Sequence, residues 1–215
     1  MKVAIAQINT TAGDVVANTD KARAWIRHAR EAGADIVVFP ELTLVGYAPR
    51  SLLAEGDFSR RSREGLEVLA DEAEGIRAVV GHVTRTPEGV GNAVSLLADG
   101  EVKVTRSKSR LTGETGWAEG RYVVPGREPV VMDEDGLSIV PLFADELQDL
   151  EDADEADVRA DLAVVLDARP YFRGQTAPGE QLARVARRWK APVVYSNLVG
   201  GNDCWVFVGV GMVLD

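Results

Sequence analysis

With 215 residues, 46% of them hydrophobic, the chain is long enough to bury one substantial core and short for two. Its 24 basic against 34 acidic side chains give a formal net charge of −10, which argues against a nucleic-acid or anionic-membrane surface and favours a small-molecule or protein partner. The lone Cys204 excludes an internal disulfide, no apolar run approaches the roughly 18 residues of a membrane span, and the N-terminus enters a strand-like pattern with no leader, so a soluble cytoplasmic domain is expected.

Lys2 to Ile8 alternates as a buried strand does. Asn18 or Thr19 then offers a helix N-cap, Ala22, Trp25, Ile26 and Ala29 recur at helical spacing, and Gly33 suits the C-cap. Residues 35–40 form a short buried strand, completing a β-α-β unit with a parallel pair. A second helix fits Ser59 to Glu74, with Leu66, Leu69, Ala70 and Ala73 on one face, and a strand follows from Ala78 to Val83. The pattern then turns antiparallel: Asn92 to Ala98, a turn at Asp99-Gly100, and Glu101 to Arg106 read as a hairpin. A Gly-rich connection spans 108–126, and strands are expected near Val130 and from Leu137 to Phe143, with a turn at Asp135-Gly136. The acidic stretch 145–161 reads as a solvated loop and helix. Leu162 to Leu166 is a strand, Glu180 to Lys190 a helix, Pro192 to Asn197 a strand, and 204–214 is β-rich. The whole, residues 1–215, reads as one α/β domain around a mixed sheet. No G-x-G-x-x-G follows the first strand, so dinucleotide binding loses its main support.

Two charged residues stand where chemistry gathers. Glu41 follows directly on a strand in Phe39-Pro40-Glu41-Leu42, at the carboxyl end where parallel α/β sheets bind ligands. Burial there raises a carboxyl pKa and suits it to general-base work; the ordinary alternative is a helix-start or turn carboxylate. Lys108 leaves the hairpin into the Gly-rich loop, placed to hold a developing oxyanion, and its ordinary alternative is a solvated strand-end lysine. Cys204 alternates with Trp205, shares a face with Val206 and Val208, and reads as a buried core cysteine.

With their surroundings these residues resemble the nitrilase-like carbon–nitrogen hydrolases, and within them the glutamine-hydrolysing domain of glutamine-dependent NAD synthetase. The resemblance runs through Ala6-Gln7-Ile8-Asn9, Gly13-Asp14, Gly33-Ala34-Asp35 and Val38-Phe39-Pro40-Glu41-Leu42 to Gly46-Tyr47 and Pro49. It continues at Lys108-x-x-Leu111, Arg121-Tyr122, Pro125-Gly126, Ala168-x-Pro170-Tyr171, Gly174 and Asn197 to Asp203. It implies an α/β fold, a four-layer α-β-β-α sandwich that is C-terminally short, and no cofactor. It also implies a Glu-Lys-Cys catalytic set in which a glutamate activates the thiol and a lysine stabilises the tetrahedral oxyanion. Glu41 and Lys108 take the first two roles. The third falls in a segment that commonly reads Ile-Cys-Glu-Asp-Leu; here it is Phe143-Ala144-Asp145-Glu146-Leu147, with Ala144 at the nucleophile position. Cys204, far downstream, is no replacement.

The resemblance further implies Glu114, Asp145 and Tyr171 as substrate-binding residues, and Glu114 or Glu119 as an additional active-site carboxylate. Thr112-Gly113-Glu114 departs from the usual loop, leaving glutamine in question as the substrate. With no ATP-binding half, the chain is not expected to make NAD alone. Partners implied are a small amide or acid, a synthetase or transferase, or a second copy of the chain. Three readings stay open: an amidase or glutaminase disabled at Ala144 by nature or design, a natural pseudoenzyme acting as a binding or regulatory subunit, and a hydrolase in which Glu41 activates water directly.

Overall fold

A computed structural model describes residues 1–111, 117–127, 130–152, 159–174 and 178–215. The first half of the chain contributes β1 (Val3–Ile5), α1 (Val15–Glu31), β2 (Ile36–Val38), α2 (Phe58–Glu72), β3 (Arg77–Arg85), β4 (Val90–Ala98) and β5 (Glu101–Ser107). These strands lie in the order β1-β2-β3-β4-β5, parallel from β1 to β3 and antiparallel from β3 to β5. The second half contributes β6 (Met132–Glu134), β7 (Leu137–Phe143), α3 (Leu147–Asp152), β8 (Leu162–Asp167), α4 (Gly179–Trp189) and β9 (Val193–Asn197). Then follow β10 (Val199–Asn202), β11 (Trp205–Val208) and β12 (Gly211–Leu214). The second sheet runs β12-β9-β8-β7-β6, with β7, β8 and β9 parallel and an antiparallel strand at each edge; β10 and β11 form a separate ribbon.

The two sheets pack face to face. Ile36, Val38, Val79, Val94 and Leu96 meet Ile139, Phe143, Leu162, Val164, Leu166 and Val194 in one core between them. α1 and α2 cover the outer face of the first sheet through Ala22, Ile26, Leu66 and Leu69. α4 covers the second through Leu182, Val185 and Trp189. This is the α-β-β-α sandwich that the resemblance implied, and it corrects the reading of a single mixed sheet. β2, β4 and β8 are buried along their whole length and lack the alternation that marks an outer face, so their pattern does not say which sheet they join. Among the described residues, no helix is long and apolar enough to cross a membrane.

Four local expectations are corrected. α1 begins at Val15 because the Asp14 carboxylate caps it, accepting from the Ala17 N–H at 3.1 Å. Asn18 and Thr19 are therefore inside the helix: Asn18 turns inward to the backbone of Thr11 and Leu44, and Thr19 bonds the Val15 carbonyl. Trp25, placed on the apolar face by its spacing, is 47% exposed beside His28. Cys204 is exposed, not buried, in the turn joining β10 to β11. The ribbon lays Trp205 and Phe207 against the core near Tyr47 and turns the opposite face, with Val206 and Val208, to solvent. In the acidic stretch Glu146 is fully buried, and residues 153–158 lie outside the described set.

Candidate active site

The site lies where strands of both sheets end. β2 runs into Phe39-Pro40-Glu41, and the Glu41 N–H donates to the Asp167 carbonyl at the end of β8, 3.3 Å away, so the turn is tied across the seam. Gly81 on β3 lets the same turn lie close against the first sheet: a Cβ there would lie 2.4 Å from the Pro40 oxygen. Lys108 follows β5, with its N–H on the Asn92 carbonyl and its own carbonyl accepting from Gly126, both at 2.7 Å.

These backbone ties put four charged groups together. The Lys108 ammonium, 1% exposed, lies 2.8 Å from Glu41 Oε1, 3.1 Å from Glu119 Oε2 and 2.7 Å from Asp145 Oδ2. Asn92, on β4, donates through Nδ2 to both Glu41 and Glu119 at 2.6 Å. Glu41 and Glu119 are buried, while the Asp145 side chain remains 31% exposed. Burial pushes the Glu41 pKa up to about 8; the Lys108 charge opposes this, and Glu119 and Asp145 reinforce it. For Lys108 burial disfavours the charge, yet the three carboxylates outweigh it and hold its pKa well above the ordinary lysine value.

Ala144 opens the short 3-10 turn Ala144–Glu146 at the carboxyl end of β7, and is itself buried. That turn is anchored by Glu146, which accepts from the N–H groups of Phe143 (2.9 Å) and Ser109 (2.8 Å) and from the Arg106 guanidinium (3.0 Å). Arg106 in turn donates to the Pro141 carbonyl, so β5 and the turn carrying Ala144 and Asp145 are locked together. Tyr47 packs nearby, edge-on to Trp117 and Phe207, and Trp117 stacks on Tyr122. Burial and then the Glu41 carboxylate push the Tyr47 phenol pKa above its usual value, keeping it neutral. At the end of β8, Asp167 accepts from the Tyr195 hydroxyl at 2.7 Å with Arg169 at 3.4 Å, and burial raises its carboxyl pKa.

Of the residues expected from the sequence, Glu41, Lys108 and Asp145 meet in this cluster, and Ala144 adjoins Asp145. Glu119 brings a third carboxylate to the cluster. Glu114 and the rest of 112–116 lie outside the described residues. Tyr171 is 55% exposed, with its N–H on the Val206 carbonyl, and is not part of the ion cluster. Asn92 and the Arg106–Glu146 pair were not anticipated; a lone amide in the otherwise apolar start of β4 was the available signal for Asn92. The place a cation would take among Glu41, Glu119 and Asp145 is filled by the Lys108 ammonium. Among the described residues, the one carboxylate group spaced for a metal, Asp99, Glu134 and Asp135, lies at turns by the far end of β5.

Residues 2–147 match the family model described as Carbon-nitrogen hydrolase. Over all of its length the chain is 37% identical to a glutamine-dependent NAD(+) synthetase of Xylella fastidiosa strain Temecula1, covering 40% of that protein. The chain thus spans about two fifths of the length of the curated relatives it matches. The structure superposes on glutamine-dependent NAD+ synthetase from Acinetobacter baumannii with a TM-score of 0.84 at 27% identity, covering 99% of this chain and 41% of that one. It superposes equally, at 0.84 and 25% identity, on a double mutant of the amidase from Nesterenkonia sp. AN1 in complex with acrylamide, covering all of this chain and 82% of that one. That amidase is of the nitrilase superfamily and has an active-site cysteine.

Proposed function

Since the chain belongs to the carbon–nitrogen hydrolase family, we propose that it is an amide-binding domain of the glutamine-hydrolysing type whose nucleophile position is filled by Ala144. The observation that carries this reading is the buried Glu41–Lys108–Glu119 cluster beside the turn that begins at Ala144. With a thiol at residue 144, Glu41 takes its proton and the sulfur attacks the amide carbon. The Lys108 ammonium holds the oxyanion while the Glu41 proton passes to the leaving ammonia, and water then cleaves the thioester. A methyl group offers no lone pair, so the chain as written forms no thioester. Glu119 and Asn92 act on Glu41 and Lys108, fixing both side chains in place.

A second reading, a natural pseudoenzyme that serves a synthetase or transferase as a binding or regulatory subunit, draws support from Asp145, whose carboxylate sits on the lysine that the chemistry needs. Ala144→Cys separates the two. In a Cys204→Ser background, which removes the exposed thiol, ammonia release is measured from glutamine and a panel of simple amides and nitriles. Turnover in the Ala144→Cys protein is the outcome expected of a disabled hydrolase. A correctly folded but silent variant supports the binding subunit and ends the first reading.

A further inference from the structure

Away from the ion cluster, a cleft of about 700 Å³ opens on the outer face of the first sheet, between α2 and the strands β3 and β5. Its charge is opposite to that of the chain. Arg60 and Arg63, one turn apart on α2, and Arg85, at the end of β3, line it against a single carboxylate, Glu67. Three arginines less one glutamate leave the lining at +2, on a chain of net charge −10. Arg60 reaches Asp57 and Glu64, and Arg63 reaches Glu67, but these pairs are exposed and hold the guanidinium groups only weakly. The cleft of about 660 Å³ between α1 and α2 is different. There two arginines, Arg23 and Arg30, face Asp71, Glu72 and Glu74, and both are bound to Glu72.

The positive charge stops at the rim. His82, on the floor of the cleft, is 2% exposed. Its Nδ1 lies 3.0 Å from the Val83 carbonyl, which can only accept, so Nδ1 carries the proton and Nε2 accepts from the Ser95 hydroxyl at 2.7 Å. Ser95 in turn meets the Thr105 hydroxyl at 2.6 Å. Burial lowers the His82 pKa to about 4 and keeps the imidazole neutral. Leu66, Val83 and Val102 complete an uncharged, largely apolar interior.

We infer that this cleft binds a small phosphate monoester, with the phosphate on Arg60, Arg63 and Arg85 and an apolar body against Leu66, Val83 and Val102. A monoester carries about −1.5 to −2 charges at pH 7, close to the opposite of the lining. Its oxygens also fit the planar fork of a guanidinium. Inorganic phosphate has no body to fill the interior, and a carboxylate brings a single charge. The site is independent of the Glu41–Lys108 cluster and of what that cluster binds.

The test is an NMR titration of the backbone amides with phenyl phosphate, inorganic phosphate and benzoate. It is run on the chain as written and on Arg63→Gln, Arg85→Gln and Arg187→Gln. Arg187 is an exposed arginine of α4, on the opposite side of the sandwich, so its removal controls for a general change of charge. Thermal unfolding of each variant verifies the fold. Phenyl phosphate is expected to bind with a Kd of about 1 mM or tighter and to shift the amides of α2, β3 and β5 that surround the cleft. Its affinity is expected to fall about tenfold in Arg63→Gln and in Arg85→Gln and to stay unchanged in Arg187→Gln. Inorganic phosphate and benzoate are expected to bind about fivefold more weakly or worse. The inference is overturned by the absence of saturable shifts or by shifts confined to another part of the chain. It is equally overturned by an affinity that Arg63→Gln and Arg85→Gln leave unchanged, by equal weakening in Arg187→Gln, or by either simpler anion binding as tightly as phenyl phosphate.

Discussion

Glu41 and Lys108 illustrate how burial and pairing divide the work between two charges. The carboxyl, pushed up to about 8, carries its proton near neutrality, whereas the ammonium stays charged because carboxylates surround it. A base works only after losing its proton. In the Ala144→Cys protein, ammonia release is therefore expected to rise with pH through about 8, and Glu41→Gln in the same background is expected to lower the rate by about 10²–10⁴-fold and abolish the rise. A pH–rate profile checks both; a rate already level from pH 6 upward contradicts the assignment of Glu41 as the base. At this scale the sequence was informative where a charge stands at the end of a strand, as at Glu41 and Lys108. It was silent on Asn92, since one amide in a buried strand announces no partner, and undecided between Glu114 and Glu119, since a Gly-rich connection has no periodicity from which to read a direction.

The turn after β7 shows what an element can hide. Glu146 read as part of a solvated acidic run and Arg106 as the end of a hairpin strand, yet they form a buried pair 40 residues apart in sequence. Pairings at that separation leave no local trace. Removing one partner leaves the other charged and buried, at a cost of about 3–5 kcal/mol. Arg106→Met is expected to lose stability of that order in urea denaturation, and to loosen the turn that carries Ala144 and Asp145; a loss below about 1 kcal/mol would show that the pair is not holding the turn. The start of α1 teaches a related lesson. Asp14 captured the cap because its carboxylate reaches the Ala17 N–H, leaving Asn18 free to bond the Thr11 and Leu44 backbone instead.

Across the whole molecule the two sheets share one set of buried side chains. Phe143 lies at its edge, fully buried, with the Arg106 and Lys108 cations 5.2 and 5.5 Å from its ring centre. Phe143→Ala is expected to cost about 3–5 kcal/mol. Because neither sheet can keep its inner face dry alone, unfolding followed by far-UV circular dichroism and by tryptophan fluorescence is expected to give one coincident transition. Separate midpoints would mean that the sheets unfold independently. The α/β class and most strands were legible from apolar runs, and the four layers came from the family resemblance rather than from the pattern. Runs buried on both faces say that a strand is internal but not to which sheet it belongs.

The buried ion cluster also governs how such a site can age. Exchanging a thiol for a methyl at residue 144 removes one small apolar-compatible group and disturbs no charge, whereas losing Glu41, Lys108 or Glu119 strands its partners in the interior. A side-chain change at residue 144 therefore leaves the charged cluster with all of its partners, whereas a single change within the cluster does not. Substitutions are thus tolerated unevenly around this pocket: its charged residues change together or not at all, and the positions that meet no buried charge are the ones free to drift.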